Sequence, residues 1–243
     1  MRRIVHGTSD RCPRCHLTTR WCVCAGHREV FCPLAVDVVI HHRERFRPTS
    51  TGNLIQRILS ESRLHVWRRD VPLPVESVRR AEREIWVLHP HGHPAPAGVA
   101  PERVQVVLLD GVWSETAVMA HDVAKWGRLV SLPMTGESRY WLRAQQDGGR
   151  FSTVEALLFL LQSFGLVAAH TELRRQFELH VYACLRARGL KELAEEFLRE
   201  SPVPAAFPDL LAQLHLRRPL VARASLLKSE TRREPAEGGQ GPA

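Results

Sequence analysis

Arg103-Val104-Gln105-Val106-Val107-Leu108-Leu109-Asp110-Gly111-Val112-Trp113-Ser114 is the stretch on which the fold turns. Val104 to Leu109 is a short, β-branched, almost unbroken apolar run, the pattern of a strand covered on both faces. Asp110 and Gly111 end it, and a helix is predicted from about Ser114 to Ala124. A strand buried on both sides belongs in a largely parallel sheet with helices above and below.

The same alternation recurs outward from this stretch. Ala35-Val36-Asp37-Val38-Val39-Ile40 reads as a strand, and Thr51-Gly52-Asn53 opens a helix through Ile58 and Leu59. Leu64-His65-Val66-Trp67 and Glu84-Ile85-Trp86-Val87-Leu88 are further strands. His89-Pro90-His91-Gly92-His93-Pro94 is expected to break strand and helix alike. Leu129-Val130-Ser131-Leu132 is a short strand ending at Pro133. Ser152-Thr153-Val154-Glu155 is a capping box, opening a helix that buries Val154, Leu157, Leu158, Leu161 and Phe164. A second helix from Thr171 places Leu173, Phe177, Val181, Cys184 and Leu185 on one face, which makes Cys184 a small core residue. In such sheets ligands sit at the carboxyl ends of strands, so the loops to search follow Ile40, Leu88, Leu109 and Leu132.

The chain has 243 residues, enough for one large domain with a real core. No apolar run approaches the roughly 20 residues of a membrane span, and the longest lies around Leu157 to Leu161. Met1-Arg2-Arg3-Ile4 lacks the apolar stretch of a signal peptide, so a cytoplasmic protein is expected. A formal charge of +8 suits a polyanionic partner. Only Lys125, Lys191 and Lys228 are lysines, a bias toward arginine that a GC-rich genome also produces. No obligate protein partner is evident.

Five of the six cysteines crowd the start. Cys12-x2-Cys15-x6-Cys22-x-Cys24 supplies four thiolates within thirteen residues, enough for a closed tetrahedral zinc site; an iron–sulfur cluster is the rival. Cys32 is a spare. A zinc deaminase is excluded, because its His-x-Glu must precede Pro-Cys-x-x-Cys. The expected organisation is therefore a zinc knuckle at 1–33, a catalytic domain at 34–225 and a polar, disordered tail at 226–243.

His41-His42-Arg43-Glu44-Arg45-Phe46-Arg47-Pro48-Thr49-Ser50-Thr51-Gly52 carries three arginines, an aromatic and a Thr-Gly at a helix start. These residues suit either a phosphate-holding loop or a solvated one. A histidine-ligated metal is disfavoured, since His41 and His42 point to opposite sides of an extended chain. No Gly-x-Gly-x-x-Gly and no Walker Gly-Lys-Ser follows any strand, so a Rossmann-type nucleotide site is not supported. Taken alone, Asp110 reads as a helix cap and Trp113 as core filling.

Five motifs in order change that reading. Cys-x2-Cys-x6-Cys-x-Cys, His41…Glu44…Arg47-Pro48…Thr51, Asp110-Gly111-Val112-Trp113, Tyr140-x-Leu142-Arg143 and Ser152-Thr153-x-Glu155-Ala156 together resemble the DTW-domain proteins over about residues 12 to 190. The resemblance implies a tRNA-uridine aminocarboxypropyltransferase, with zinc and a knotted α/β fold related to the SPOUT methyltransferases. The knot would bind S-adenosylmethionine without a glycine fingerprint. Uridine N3 would attack the methylene beside the sulfonium and release methylthioadenosine, with Asp110 as base and Trp113 beside it. Leu88, His89, Pro90, Leu132, Tyr140, Leu142, Ser152 and Thr153 would line the cofactor site. His41, Arg43, Glu44, Arg47, Thr51, Arg139, Arg143 and the knuckle would hold the RNA.

The sequence departs from the family pattern at four places. Val112 replaces the threonine of Asp-x-Thr-Trp, a proline is missing at Ala144-Gln145-Gln146, Phe151 replaces a leucine, and His42 stands where proline is common. The rival functions are a SPOUT-type RNA methyltransferase and a catalytically inactive RNA-binding protein.

Overall fold

A computed structural model describes residues 11–143 and 150–216. The missing proline at 144–146 and the expected tail at 226–243 lie outside these residues. Each predicted strand forms, giving β1 (Ala35–His41), β2 (Arg63–Trp67), β3 (Glu84–Pro94), β4 (Val104–Asp110) and β5 (Arg128–Ser131). They make one five-stranded sheet in the order β2-β1-β4-β3-β5, with every pairing parallel. The helices are α1 (Gly52–Ile58), α2 (Trp113–Val123), α3 (Thr153–Ser163), α4 (Val167–Ala187), α5 (Lys191–Leu198), α6 (Val203–Ala206) and α7 (Pro208–His215).

Alternate side chains send the two faces of the sheet into separate cores. Val36, Val38, Ile40, Val104, Val106, Leu108 and Trp86 pack into the larger one, with α1, α3 and α4. Val39, Val107, Ile85 and Val87 join Met119, Val123 and Trp126 on the other side, under α2. This two-sided burial is why the strands read as continuous apolar runs. Cys15, Leu17 and Val23 of the knuckle are buried in the larger core, as are Cys32 and Cys184.

The second long helix departs from expectation. It begins at Val167, four residues before Thr171, and from Gln176 to Leu185 every residue is buried. That half of α4 is thus enclosed all round rather than on one face, and its polar members need partners. Glu178 takes Arg139 and Arg174, at 3.4 and 3.0 Å. His180 Nε2 donates to the Pro48 carbonyl at 2.6 Å.

Strand β3 also corrects the sequence reading. It does not stop at Leu88 but runs to Pro94, with a jump in register: Leu88 and His93 both stand opposite Val130. The intervening residues leave the ladder, so the amide that Pro90 lacks is not needed there. Gly92 brings the chain back. A Cβ there would lie 2.5 Å from the Val130 carbonyl carbon, so only glycine fits the return.

Candidate active site

β1 and β4 lie side by side, and their exits go opposite ways. β1 leads through α1 to β2, and β4 leads through α2 to β5, on the other side of the sheet. Such a reversal opens a crevice at the carboxyl ends of the two strands.

Asp110 stands at that point, opposite Ile40 and only 6% exposed. It does not cap α2, whose N-cap is Val112. Its carboxylate instead accepts two hydroxyl hydrogen bonds. Ser50 Oγ donates to Oδ2 at 2.6 Å, and Thr153 Oγ1 donates to Oδ1 at 2.7 Å. Asp110 therefore joins the loop after β1 to the start of α3. Gly52 explains the Thr-Gly pair: a Cβ there would come within 2.9 Å of the Asp110 carboxyl group. Thr51 and Gly52 are both buried.

The loop after β1 is a series of tight turns, with Glu44, Arg47 and Ser50 amides donating to His41, Glu44 and Arg47 carbonyls. His41 is buried against Trp67 and His42, with Nδ1 3.2 Å from Glu115 Oε1. Burial draws its pKa down, and Glu115 opposes this. Glu44 is buried as well. Desolvation raises its pKa, although Arg47 lies 2.6 Å away. Arg43 sits 3.9 Å from Glu115, and both arginines stay exposed.

A cleft of about 720 Å³ opens beside Asp110. Its walls come from the β3 excursion, the start of α2, the end of β5 and the start of α3. Leu88, His89, Pro90, Leu132, Ser152 and Thr153 all line it, as do Trp113 and Arg143. Trp113 is 52% exposed rather than core filling. The capping box at Ser152 forms as predicted, with the Ser152 amide donating to Glu155 at 2.6 Å. Arg143 is held at the wall, donating to the Arg150 and Phe151 carbonyls at 2.8 and 3.1 Å.

Three expected site residues are placed elsewhere. Leu142 is buried in the larger core. Tyr140 stacks on Phe177 and donates its hydroxyl to the Thr49 carbonyl at 2.7 Å. Arg139 donates to the Phe197 carbonyl at 2.7 Å, pairs with Glu178 and lies 4.1 Å over the Phe197 ring. Its charge is thus directed into the helical layer. The sequence reading also missed residues. Ser50 shows no local signal of contact with Asp110. Thr116, Ala117, Ala120 and His121 form one wall of the cleft, and the small Thr116, Ala117 and Ala120 at helical spacing were the available clue.

The four early cysteines converge, their sulfurs all within 4.8 Å of one another. Cys12 and Cys24 are 3.6 Å apart, and Cys15 and Cys22 are 3.7 Å apart. Four ligands at about 2.3 Å in a tetrahedron stand about 3.8 Å from each other, so the set fits a zinc ion. His16 follows Cys15 in the left-handed region, at φ 59°. That turn folds the chain back, so that the Cys12 amide donates to the Leu17 carbonyl at 2.8 Å.

No solved structure matches the chain. A family model described as DTW domain matches residues 9–185, which is well over half of the sequence. With the cysteine cluster, the Asp110-Gly111-Val112-Trp113 turn and the Ser152 cap all inside that span, the chain belongs to the DTW-domain family.

Proposed function

We propose that this protein transfers the 3-amino-3-carboxypropyl group of S-adenosylmethionine to N3 of a uridine in tRNA. Family membership is consistent with a tRNA-modifying transferase. The observation that carries the finer reading is the cleft at the carboxyl ends of the strands. About 720 Å³ suits a cofactor-sized ligand, and its largely apolar walls suit an adenosine. The SPOUT relationship and its knot belong to the same proposal, with the β3 excursion from Leu88 to His93 as a binding loop.

S-adenosylmethionine supplies an electrophilic methylene beside its sulfonium. In the transfer, the uridine N3–carbon bond forms as the carbon–sulfur bond breaks, and the electron pair leaves on sulfur in methylthioadenosine. Attack at this carbon rather than the methyl is a matter of orientation, which His89, Leu132, Ser152 and Trp113 would fix. The N3 proton must go to a base. Thr153 lines the cleft while its hydroxyl donates to Asp110, so it stands between the carboxylate and the ligand space. In this mechanism Thr153 passes the proton and Asp110 receives it.

Cys12, Cys15, Cys22 and Cys24 would hold zinc in a closed structural site, and the exposed Arg43 and Arg47 would meet RNA phosphates. Among the described residues no helix is long and apolar enough to cross a membrane.

The test is incubation with bulk tRNA and S-adenosylmethionine labelled in the aminocarboxypropyl carbons, followed by nucleoside mass spectrometry. Labelled uridine carrying the whole group, with methylthioadenosine released, is the expected result. A methyl mass increment, or no product, overturns the proposal.

A further inference from the structure

We propose that Phe46 is a stacking platform for an unpaired nucleobase of the RNA, a proposal that rests on reading tRNA as the substrate. Phe46 is 70% exposed, and it stands on a loop whose backbone is fastened on several sides. The loop is not loose. His180 grips the Pro48 carbonyl, Tyr140 the Thr49 carbonyl, and Asn53 the Arg45 carbonyl, at 2.6, 2.7 and 2.8 Å. Ser50 is tied to Asp110 and Glu44 is buried. The backbone around Phe46 is therefore fixed while its ring is turned out to solvent. A rigid aromatic gives contact area at small entropic cost on binding.

The neighbours of the ring select the occupant. The Arg45 guanidinium lies 5.5 Å from its centroid, and the His16 ring meets it edge-on at 5.9 Å. Arg43, Arg45 and Arg47 are exposed on the same loop, and Arg11 and Arg14 are exposed on the knuckle that carries His16. A single π-face among guanidinium groups is poorly suited to an apolar protein surface. It matches a nucleotide, whose base stacks on the ring while its phosphates meet the arginines. Ser50 touches Asp110 and lies four residues from Phe46, so at most about 14 Å of chain separates platform and site. The base on Phe46 then belongs to a nucleotide near the target uridine.

The experiment measures binding of fluorescently labelled tRNA by anisotropy at several salt concentrations. Wild type is compared with Phe46→Ala, Phe46→Leu and Phe46→Trp; the site is exposed, so the fold tolerates each. Stacking predicts about tenfold weaker binding for the alanine and leucine variants, with the wild-type salt slope, and full affinity for tryptophan. A single-stranded RNA decamer should rank the four proteins the same way, and an RNA duplex of equal length should not. Wild-type affinity in Phe46→Ala overturns the platform, as does wild-type affinity in Phe46→Leu, which would assign the ring to a plain apolar contact. If wild type modifies tRNA and Phe46→Ala binds it equally well, only the platform falls. If wild type neither binds nor modifies tRNA, the substrate reading falls and the platform with it.

Discussion

Asp37 and Asp110 lie on adjacent strands, both buried, and the molecule treats them in opposite ways. Asp37 sits toward the amino end of β1, fully buried on the α2 side of the sheet. Arg80 Nε and Gln105 Nε2 donate to its Oδ2, each at 3.0 Å, and His65 Nε2 meets Oδ1 at 2.8 Å. Asp110 ends β4 on the opposite face. Its partners are the hydroxyls of Ser50 and Thr153, with no cation paired to it among the described residues. Glu44 and Glu115 add like charge nearby. A buried carboxylate closed by a guanidinium is finished as structure. One held by neutral hydroxyls has no cation to close it, and through Thr153 it is joined to the wall of a cleft proposed to receive a sulfonium and a uridine.

The largest effect is expected where the charge is closed. Asp37→Ala takes the carboxylate from Arg80, whose side chain is 12% exposed, leaves the buried Gln105 amide short of an acceptor, and should cost about 3 kcal/mol in urea unfolding. Residual folded enzyme should keep its transfer rate. A stable Asp37→Ala protein with poor transfer would erase the contrast between the two carboxylates.

Asp110→Asn should behave in the reverse sense. Its fold should persist, because an amide oxygen still accepts a hydroxyl, yet transfer should fall roughly 100-fold, the usual scale for a lost base. Single-turnover rates with saturating tRNA and cofactor decide this. Near wild-type rates would leave Asp110 as a tie between the loop after β1 and α3.

A smaller effect concerns the fastening of that loop. Burial lowers the pKa of His180 to about 3, from 6.5 in the unfolded chain. The folded imidazole is therefore neutral, and its contribution is intact above pH 6.5. As pH falls below 6.5 the unfolded chain takes up the proton first, and stability drops until the folded pKa is reached. At pH 5 the loss from this residue is about 2 kcal/mol. His180→Gln keeps an N–H for the Pro48 carbonyl, so unfolding at pH 7 and 5 should show that much less loss in the variant. Equal losses would detach His180 from the pH response.

The smallest effect lies next to Asp110. Val112 is the N-cap of α2 and has no side-chain oxygen for the Glu115 amide, which donates to the Val112 carbonyl at 2.9 Å, while the Val112 amide donates to Glu115 Oε2 at 3.3 Å. The threonine of the family pattern would complete this capping box. Val112→Thr should therefore raise stability by about 1 kcal/mol and leave transfer unchanged. A clear change in transfer would give that hydroxyl a part in the chemistry.

Some of this was open to reading along the chain. The valine-rich runs announced β1 and β4, because side chains buried on both faces leave no polar alternation to mislead. The Ser152-to-Glu155 box and the cysteine spacing were equally legible, since their partners lie within a few residues. Less visible was the course of β3 beyond Leu88. Two prolines and a glycine ordinarily end a strand, and only the backbone of Val130 shows why Gly92 returns to the ladder.

By itself the sequence determined what short-range stereochemistry governs: strand and helix periodicity, the Ser152 capping box, the thiolate quartet and the family. The tertiary structure decided which of two aspartates is closed and which is open. Asp110 meets Ser50 and Thr153 across 60 and 43 residues, and only the pairing of β1 with β4 and the packing of α3 on β4 bring them together. It also set Tyr140 and Leu142 outside the walls of the cleft, Tyr140 against Phe177, and turned Arg139, expected at the RNA, toward Glu178. Burial of a charge is a long-range property of packing, and no local spacing encodes who will neutralise it.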